Sequence, residues 1–148
     1  MHITSLIKRK GHAIFHIGPN QTLKECIAML NEKRVGALMV LEDNGDIKGI
    51  ISERDIMHAA RDFGEKMFTH AVKEVMTPAE KLIAAKEDDL LEAVMGMMSE
   101  NRIRHLPIVE DGKVTCIISI GDVVKELYEL ALTENKDLKN YITGSYVS

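Results

Sequence analysis

Gly45-Asp46-Ile47-Lys48-Gly49-Ile50-Ile51-Ser52-Glu53-Arg54-Asp55 decides the fold. It reads as a turn, a buried strand and the first turn of a helix. Gly45 suits the turn, because a residue without a Cβ reaches positive φ without steric cost. Ile47, Ile50 and Ile51 are β-branched and fit a strand. Ser52 offers an oxygen to cap a helix, and Asp55 follows three residues later. The strand thus delivers a hydroxyl and a carboxylate to a helix N-terminus, where unpaired N–H groups and the helix dipole favour anions.

The stretch returns as Gly112-Lys113-Val114-Thr115-Cys116-Ile117-Ile118-Ser119-Ile120-Gly121-Asp122. Positions 45, 52 and 55 recur at 112, 119 and 122, a constant offset of 67. Two copies in register mean an internal repeat, and a repeat governs every later fold argument.

The rest of the chain fits around the two copies. Thr4 to Lys10 reads as a short helix closed by Gly11. Its Lys8-Arg9-Lys10 run reads first as a solvated helix end, with phosphate contact as the alternative. Ala13 to Ile17 is a strand ended by Gly18-Pro19-Asn20. Thr22 to Lys33 is a helix whose Leu23, Cys26, Ile27 and Leu30 make a core-facing stripe. Ala37 to Leu41 is a strand, and Glu42-Asp43-Asn44-Gly45 its hairpin connection. Glu53 to Arg61 is a helix ended by Asp62-Phe63-Gly64. His70 to Val75 is a helical turn, and Met76-Thr77-Pro78 breaks it.

The second half matches the first. Lys81 to Ala85 pairs with the strand Ala13 to Ile17, and Asp88 to Asn101 with the first long helix, both at offset 68. Met95, Met97 and Met98 read as adaptable core ahead of a partner surface. Leu106 to Val109 and Val114 to Ser119 repeat the hairpin, one residue shorter. Gly121 to Glu134 is the closing helix, Asp137 to Ile142 a last short one, and a polar tail follows. Each repeat is β-α-β-β-α, in the α/β (α+β) class. Neither half buries its strands alone, so the two should pack about a pseudo-twofold axis. The expected boundaries are 1–11 for an N-terminal segment, 12–69 and 80–136 for the repeats, 70–79 for the linker and 137–148 for the tail.

Composition narrows the function. A chain of 148 residues with 45% apolar content fits one domain or two small repeats sharing a core. A formal charge of −4 gives no reason to expect nucleic acid as a partner. No run of about 18 apolar residues suggests a membrane span, and Met1 to Gly11 has no apolar core of a secretory signal. A cytoplasmic protein is expected. Cys26 and Cys116 sit in apolar patterns and read as reduced core thiols. The six histidines lack metal-ligand spacing, so no metal site is expected. No nucleophile–base set and no Walker A loop is visible, so an enzyme is not expected.

The twice-repeated G-x-(I/V)-x-x-I-I-S-x-x-D pattern, the β-α-β-β-α order and the Val75-Met76-Thr77-Pro78 linker resemble a pair of CBS domains. The likeness covers nearly the whole chain. Asn101-Arg102-Ile103-Arg104-His105-Leu106-Pro107 and Tyr141-Ile142-Thr143-Gly144 resemble stretches of the small stand-alone proteins of that family. Cys116 departs from the pattern, where the family prefers Gly and Gly49 keeps it.

The resemblance implies binding of adenosine nucleotides in clefts between the repeats: AMP first, with ATP, ADP, NAD or S-adenosylmethionine as further ligands. It implies that Asp55 and Asp122 each accept from a ribose diol, with Ser52 and Ser119 near the phosphate or ribose. It implies that Arg104 and His105 meet phosphate, and that Phe15, Ile83, Ala84 and Ile103 hold the adenine. Arg54, Thr77, Pro107 and Gly121 complete the implied ligand-facing set. A carboxylate suits a diol and a guanidinium suits a phosphate. Against this, Ser52 with Asp55 and Ser119 with Asp122 also read as plain capping boxes, and Arg102 and Arg104 as complements to a helix dipole. His105 also reads as a half-buried core histidine.

The first functional reading is a regulatory nucleotide sensor acting as a homodimer. The second is an adaptor for an unknown regulated protein, for example a redox partner; the third is an accessory domain separated from its enzyme. Two helices, Glu53–Arg61 and Gly121–Glu134, carry the apolar faces expected to meet in the dimer. The clefts are expected to be unequal. Only the second repeat carries Arg104 and His105, where the first has Gly36 and Ala37. Family clefts draw on both repeats, which favours Asp55 as the aspartate that shares their cleft.

Overall fold

The computed structural model describes residues 2–143, with side chains as far as residue 136. Five α-helices are α1 (Thr4–Lys10), α2 (Leu23–Lys33), α3 (Glu53–Phe63), α4 (Leu91–Asn101) and α5 (Ile120–Thr143). Six strands are β1 (His16–Ile17), β2 (Ala37–Leu41), β3 (Ile47–Ser52), β4 (Thr77–Pro78), β5 (His105–Glu110) and β6 (Lys113–Ser119). The first repeat forms a four-stranded sheet in the order β1-β2-β3-β4, and the second a β5-β6 hairpin.

The repeat is visible bond by bond. Ala37 pairs with Ser52 in the first hairpin and His105 with Ser119 in the second. Both hairpins carry a register shift one turn from their ends, after Val40 and after Ile108. Arg34 and Arg102 close α2 and α4 in the left-handed conformation, at φ 55° and 53°. The next residues donate back in parallel, Val35 N–H to Leu30 O and Ile103 N–H to Met98 O. Glu53 N–H reaches Gly36 O, and Ile120 N–H reaches Arg104 O. One sequence pattern has therefore produced one backbone twice.

Several element bounds differ from the sequence expectation. The strand read over Ala13 to Ile17 is regular only at His16–Ile17, though Phe15 O still accepts from Met39 N–H. The strand read over Lys81 to Ala85 starts at the end of a short turn, Ala79–Lys81, has no regular structure over 82–84 and makes a single parallel bridge, Ala85 to Ile108. Pro78 sends the chain into that turn, and only Ala85 reaches β5. The helix read from Asp88 begins at Leu91, because Asp89 spends its carboxylate on Lys86 N–H. The closing helix does not stop at Glu134. No glycine or proline falls within residues 122–143, and α5 runs on to Thr143 through the segment read as a separate helix. The polar tail, with Gly144, lies outside the described residues.

Caps differ between the repeats. Thr22 Oγ1 accepts from Glu25 N–H at the start of α2, whereas Leu90 holds the equivalent position of α4 with no side-chain bond. Leu90 is exposed. Leu90→Thr should therefore add about 1 kcal/mol of stability, read as a higher urea midpoint with an unchanged slope.

Each repeat has its own core, and the two cores exchange their leading segments. Ile17, Leu23, Leu38, Val40 and Ile51 of the first repeat pack with Met67 and Val72, just before β4. Leu91, Leu106, Ile108 and Ile118 of the second pack with Ile3, Leu6 and Ile7 of α1. The backbone bonds agree: Val72 N–H donates to Gln21 O, and Ile3 N–H to Asp89 O. The linker thus completes the repeat before it, and the N-terminal arm completes the distant one.

Gly49 and Cys116 show what this exchange demands. Gly49 faces Pro78 across the β3–β4 pair. A Cβ at Gly49 would stand 2.1 Å from Thr77 O. The glycine is therefore required by the linker strand. At Cys116 the N-terminal arm lies alongside, with Sγ 3.5 Å from Gly11 O.

Candidate functional site

The end of β3 and the start of α3 form one wall of a cleft of about 350 Å³. Ile50, Ser52, Glu53, Arg54, Asp55 and Met57 line this wall, and Thr77 of β4 adjoins it. The other wall is the α4–β5 connection, Arg102, Ile103, Arg104 and His105. Local structure explains the placement. The left-handed turn at Arg102 swings the chain out of α4 so that Ile103 and Arg104 run straight into β5. Arg54 Nη1 donates to Arg102 O at 2.8 Å and ties the walls together.

Both Ser/Asp pairs are capping boxes. Ser52 N–H donates to Asp55 Oδ2 at 2.9 Å, and the Ser52 hydroxyl to the same oxygen at 3.2 Å. Ser119 N–H donates to Asp122 Oδ2 at 2.8 Å, and Asp122 N–H to Ser119 Oγ at 3.1 Å. The bonds to Asp55 fall on one oxygen only, so a carboxylate in a cap keeps an acceptor for a second partner.

The two aspartates differ electrically. Burial raises the Asp55 carboxyl above the usual range, against the Ser52 bonds and the charges of His58 and Arg54. Burial also works upward on Asp122, but the bonds from Lys10 and Ser119 outweigh it and hold that carboxyl low. Lys10 Nζ bonds both Asp122 Oδ2 and Ile117 O.

His105 is half-buried, and burial lowers its pKa against the pull of Glu53. Its folded value lies below the unfolded one, about 6.5, so the native state binds fewer protons there. Stability from this group is therefore complete above pH 6.5 and is lost as the pH falls from there through the lower folded value. His105→Gln should shrink the drop in melting temperature between pH 7.5 and 5.5, measured by calorimetry. An unchanged acid limb would contradict the assignment.

Of the residues singled out in the sequence, Ser52, Arg54, Asp55, Thr77, Ile103, Arg104 and His105 share this cleft. The others lie elsewhere. Ser119 and Asp122 sit at the start of α5 with Lys10, and Gly121 is exposed beside them. Pro107 is buried in β5, where its carbonyl accepts from Ala85 N–H. Ile83 packs on the second core, and Ala84 is exposed. Phe15 lies under the Lys33 ammonium, 5.3 Å from the ring centroid.

Sequence reasoning missed Ile50, Glu53 and Met57, and took Arg102 only as a dipole complement. Ile50 was findable, since it shares a strand face with Ser52. The cysteines are free and buried, and burial with the Asp55 charge pushes the Cys26 thiol up to about 11. No group of His, Cys, Asp or Glu among the described residues is placed to hold a metal ion. No helix among them is long and apolar enough to cross a membrane.

The cleft combines three guanidinium groups, an imidazole, the capped Asp55 carboxylate and the Glu53 carboxylate with apolar surface from Ile50, Met57 and Ile103. Such a surface suits a ligand with an anionic end, a hydroxylated middle and a flat apolar part.

Comparisons with known proteins agree on the architecture. A family model described as CBS domain matches residues 11–62 and again 72–129. The CBS domain-containing protein CBSX3, mitochondrial, of Arabidopsis thaliana is 31% identical over 150 residues, covering 97% of this chain and 73% of that protein. The crystal structure of the CBS-domain containing protein ATU1752 from Agrobacterium tumefaciens superposes with a TM-score of 0.81 at 31% identity, over 85% of this chain and 98% of that one. CBSX2, solved in complex with AMP, superposes with a TM-score of 0.68 at 25% identity, over 80% and 90% of the two chains.

Proposed function

Because this chain belongs to the CBS-domain family and carries two copies of the domain, we propose that it is a regulatory module whose Asp55 cleft binds an adenosine nucleotide, AMP foremost. The observation that carries the reading is the cleft itself. Arg104 and His105 from the second repeat face Asp55 and Ser52 from the first across one opening. Phosphate goes to Arg104 and His105, the ribose diol to Asp55, and the adenine against Ile50, Met57 and Ile103. The complex of CBSX2 with AMP supports the class of ligand. The functional unit is the pair of repeats, 12–69 and 80–136, joined by 70–79. The output is a change of shape or partner affinity, with no bond made or broken. Two free thiols fit a reducing compartment such as the cytoplasm.

Thermal-shift measurements with AMP, ADP, ATP, NAD and S-adenosylmethionine test this reading. A ligand at a hundredfold excess over its dissociation constant adds about 2.7 kcal/mol, or roughly 5–10 °C for a chain of this size. No shift with any of the five at millimolar concentration would overturn it.

The apolar faces of α3 and α5 support a homodimer. Met57 is 70% exposed, Val124 58% and Tyr128 62%, with Leu127 and Leu132 exposed beside them. Ala59 of α3 and Val123 of α5 are buried within the chain. A homodimer closing on these two helices covers the exposed set in both copies at once. The same face favours a second reading, an adaptor that docks a protein partner there. Light scattering at micromolar concentration separates them: a dimer supports the first, a monomer with no nucleotide shift the second.

A further inference from the structure

We propose that Lys10 decides which of the two aspartates receives a ribose: its ammonium occupies Asp122 as an internal counterion, and a nucleoside enters there only when the N-terminal arm lets go. The inference rests on the function proposed above and adds the residue that makes the repeats unequal.

Position carries the argument. Thr77 lines the Asp55 cleft. At the offset of 67 that relates Asp55 to Asp122, the residue equivalent to Thr77 is Lys10. The arm runs beside β6 as β4 runs beside β3: Thr77 faces Ile50, and Lys10 Nζ bonds the carbonyl of Ile117, the equivalent of Ile50. Lys10 also bonds Asp122 Oδ2, where Thr77 makes no such bond to Asp55. A hydroxyl position in one half is thus a cation in the other, set against the carboxylate itself on the Oδ2 that also accepts from Ser119 N–H.

The arm is built to deliver that cation. Glu126 occupies the place of Ala59, one helical turn beyond the aspartate, and both are buried. A carboxylate at so enclosed a site needs partners. Arg9 Nη1 supplies one at 3.0 Å and the Ser5 hydroxyl another at 3.3 Å. Arg9 to Glu126 and Lys10 to Asp122 are successive ion pairs between α1 and α5. The basic run read as a solvated end or a phosphate contact is therefore a two-point clamp. Asp55 has no counterpart, because Arg54 turns to Arg102 O instead.

Calorimetric titration of the full chain with AMP tests the inference. Wild type should bind one AMP, and Asp55→Ala should abolish it. Lys10→Met keeps the alkyl stem and removes the charge, and should expose a second site at least about tenfold tighter than any residual second binding in wild type. Asp122→Ala in the Lys10→Met background should remove that second site alone. Two sites of similar affinity in wild type, or a single site in Lys10→Met, would overturn the role of Lys10 and leave the proposed function standing. So would weakening of the second site in Lys10→Met, which would make Lys10 a ligand group. No AMP bound by any variant would overturn both. Should Lys10→Met not fold, hydrogen exchange of wild type decides. Amides of residues 4–10 should lose protection at AMP concentrations well above saturation of the first site, and unchanged protection would refute the mask.

Discussion

Arg104→Ala should weaken AMP at the Asp55 cleft by roughly tenfold to a hundredfold while leaving adenosine almost unaffected. A charge-assisted contact contributes about 1.5–3 kcal/mol, and each 1.4 kcal/mol is about tenfold in affinity. Arg104 lies on the wall that faces Asp55, and its backbone is fixed because its carbonyl accepts from Ile120 N–H. Truncation therefore removes the charge without freeing the chain. Asp55→Asn should do the reverse, weakening AMP and adenosine alike, because both carry the diol. Calorimetry with the two ligands on the two variants gives four numbers. Equal losses of AMP and adenosine in Arg104→Ala would show that the guanidinium does not meet phosphate.

Gly49→Ala should be the most damaging single-methyl change in the first repeat. The added Cβ would stand 2.1 Å from Thr77 O, and backbone cannot step aside as a side-chain tip can. Met76 Sδ blocks the neighbouring space at 3.0 Å. Strand β4 must then leave β3, taking Thr77 away from the cleft. Overpacking of this kind costs about 3 kcal/mol at its upper end, near 10 °C in melting temperature for a chain of this length. AMP affinity should fall with it. Cys116→Ala removes only a sulfur from a buried site and should cost far less, which the same thermal melts would show.

The sequence made local features plain and distant ones obscure. Hairpins, helix stripes and the Ser/Asp caps are set by neighbours within a few residues, so the repeated offset revealed both copies. The left-handed turns at Arg34 and Arg102 left no trace, since arginine does not advertise positive φ. The pairing of β4 with β3 was hidden for another reason. A two-residue strand ending in proline has no periodicity to read. The sharing of one cleft by Asp55, Arg104 and His105 was anticipated only through the family resemblance. The partners of Lys8-Arg9-Lys10 were not, because Arg9 and Lys10 meet α5 across more than a hundred residues.

The exchanged arm also sets a timetable for folding. Residues 2–10 are synthesised before either repeat, yet the surface they cover is assembled from α4, β5, β6 and α5. Ser5 and Glu126 are 121 residues apart. The first repeat can close as soon as the linker emerges, since its covering segment follows it directly. The second must wait for its cover to return from the far end of the chain, and long-range closure of this sort is slow. During that interval Ile3, Leu6, Ile7 and the apolar groove that receives them are all exposed to other chains. A neighbouring copy offers the same arm at the same groove, so crowded synthesis favours arms traded between two molecules.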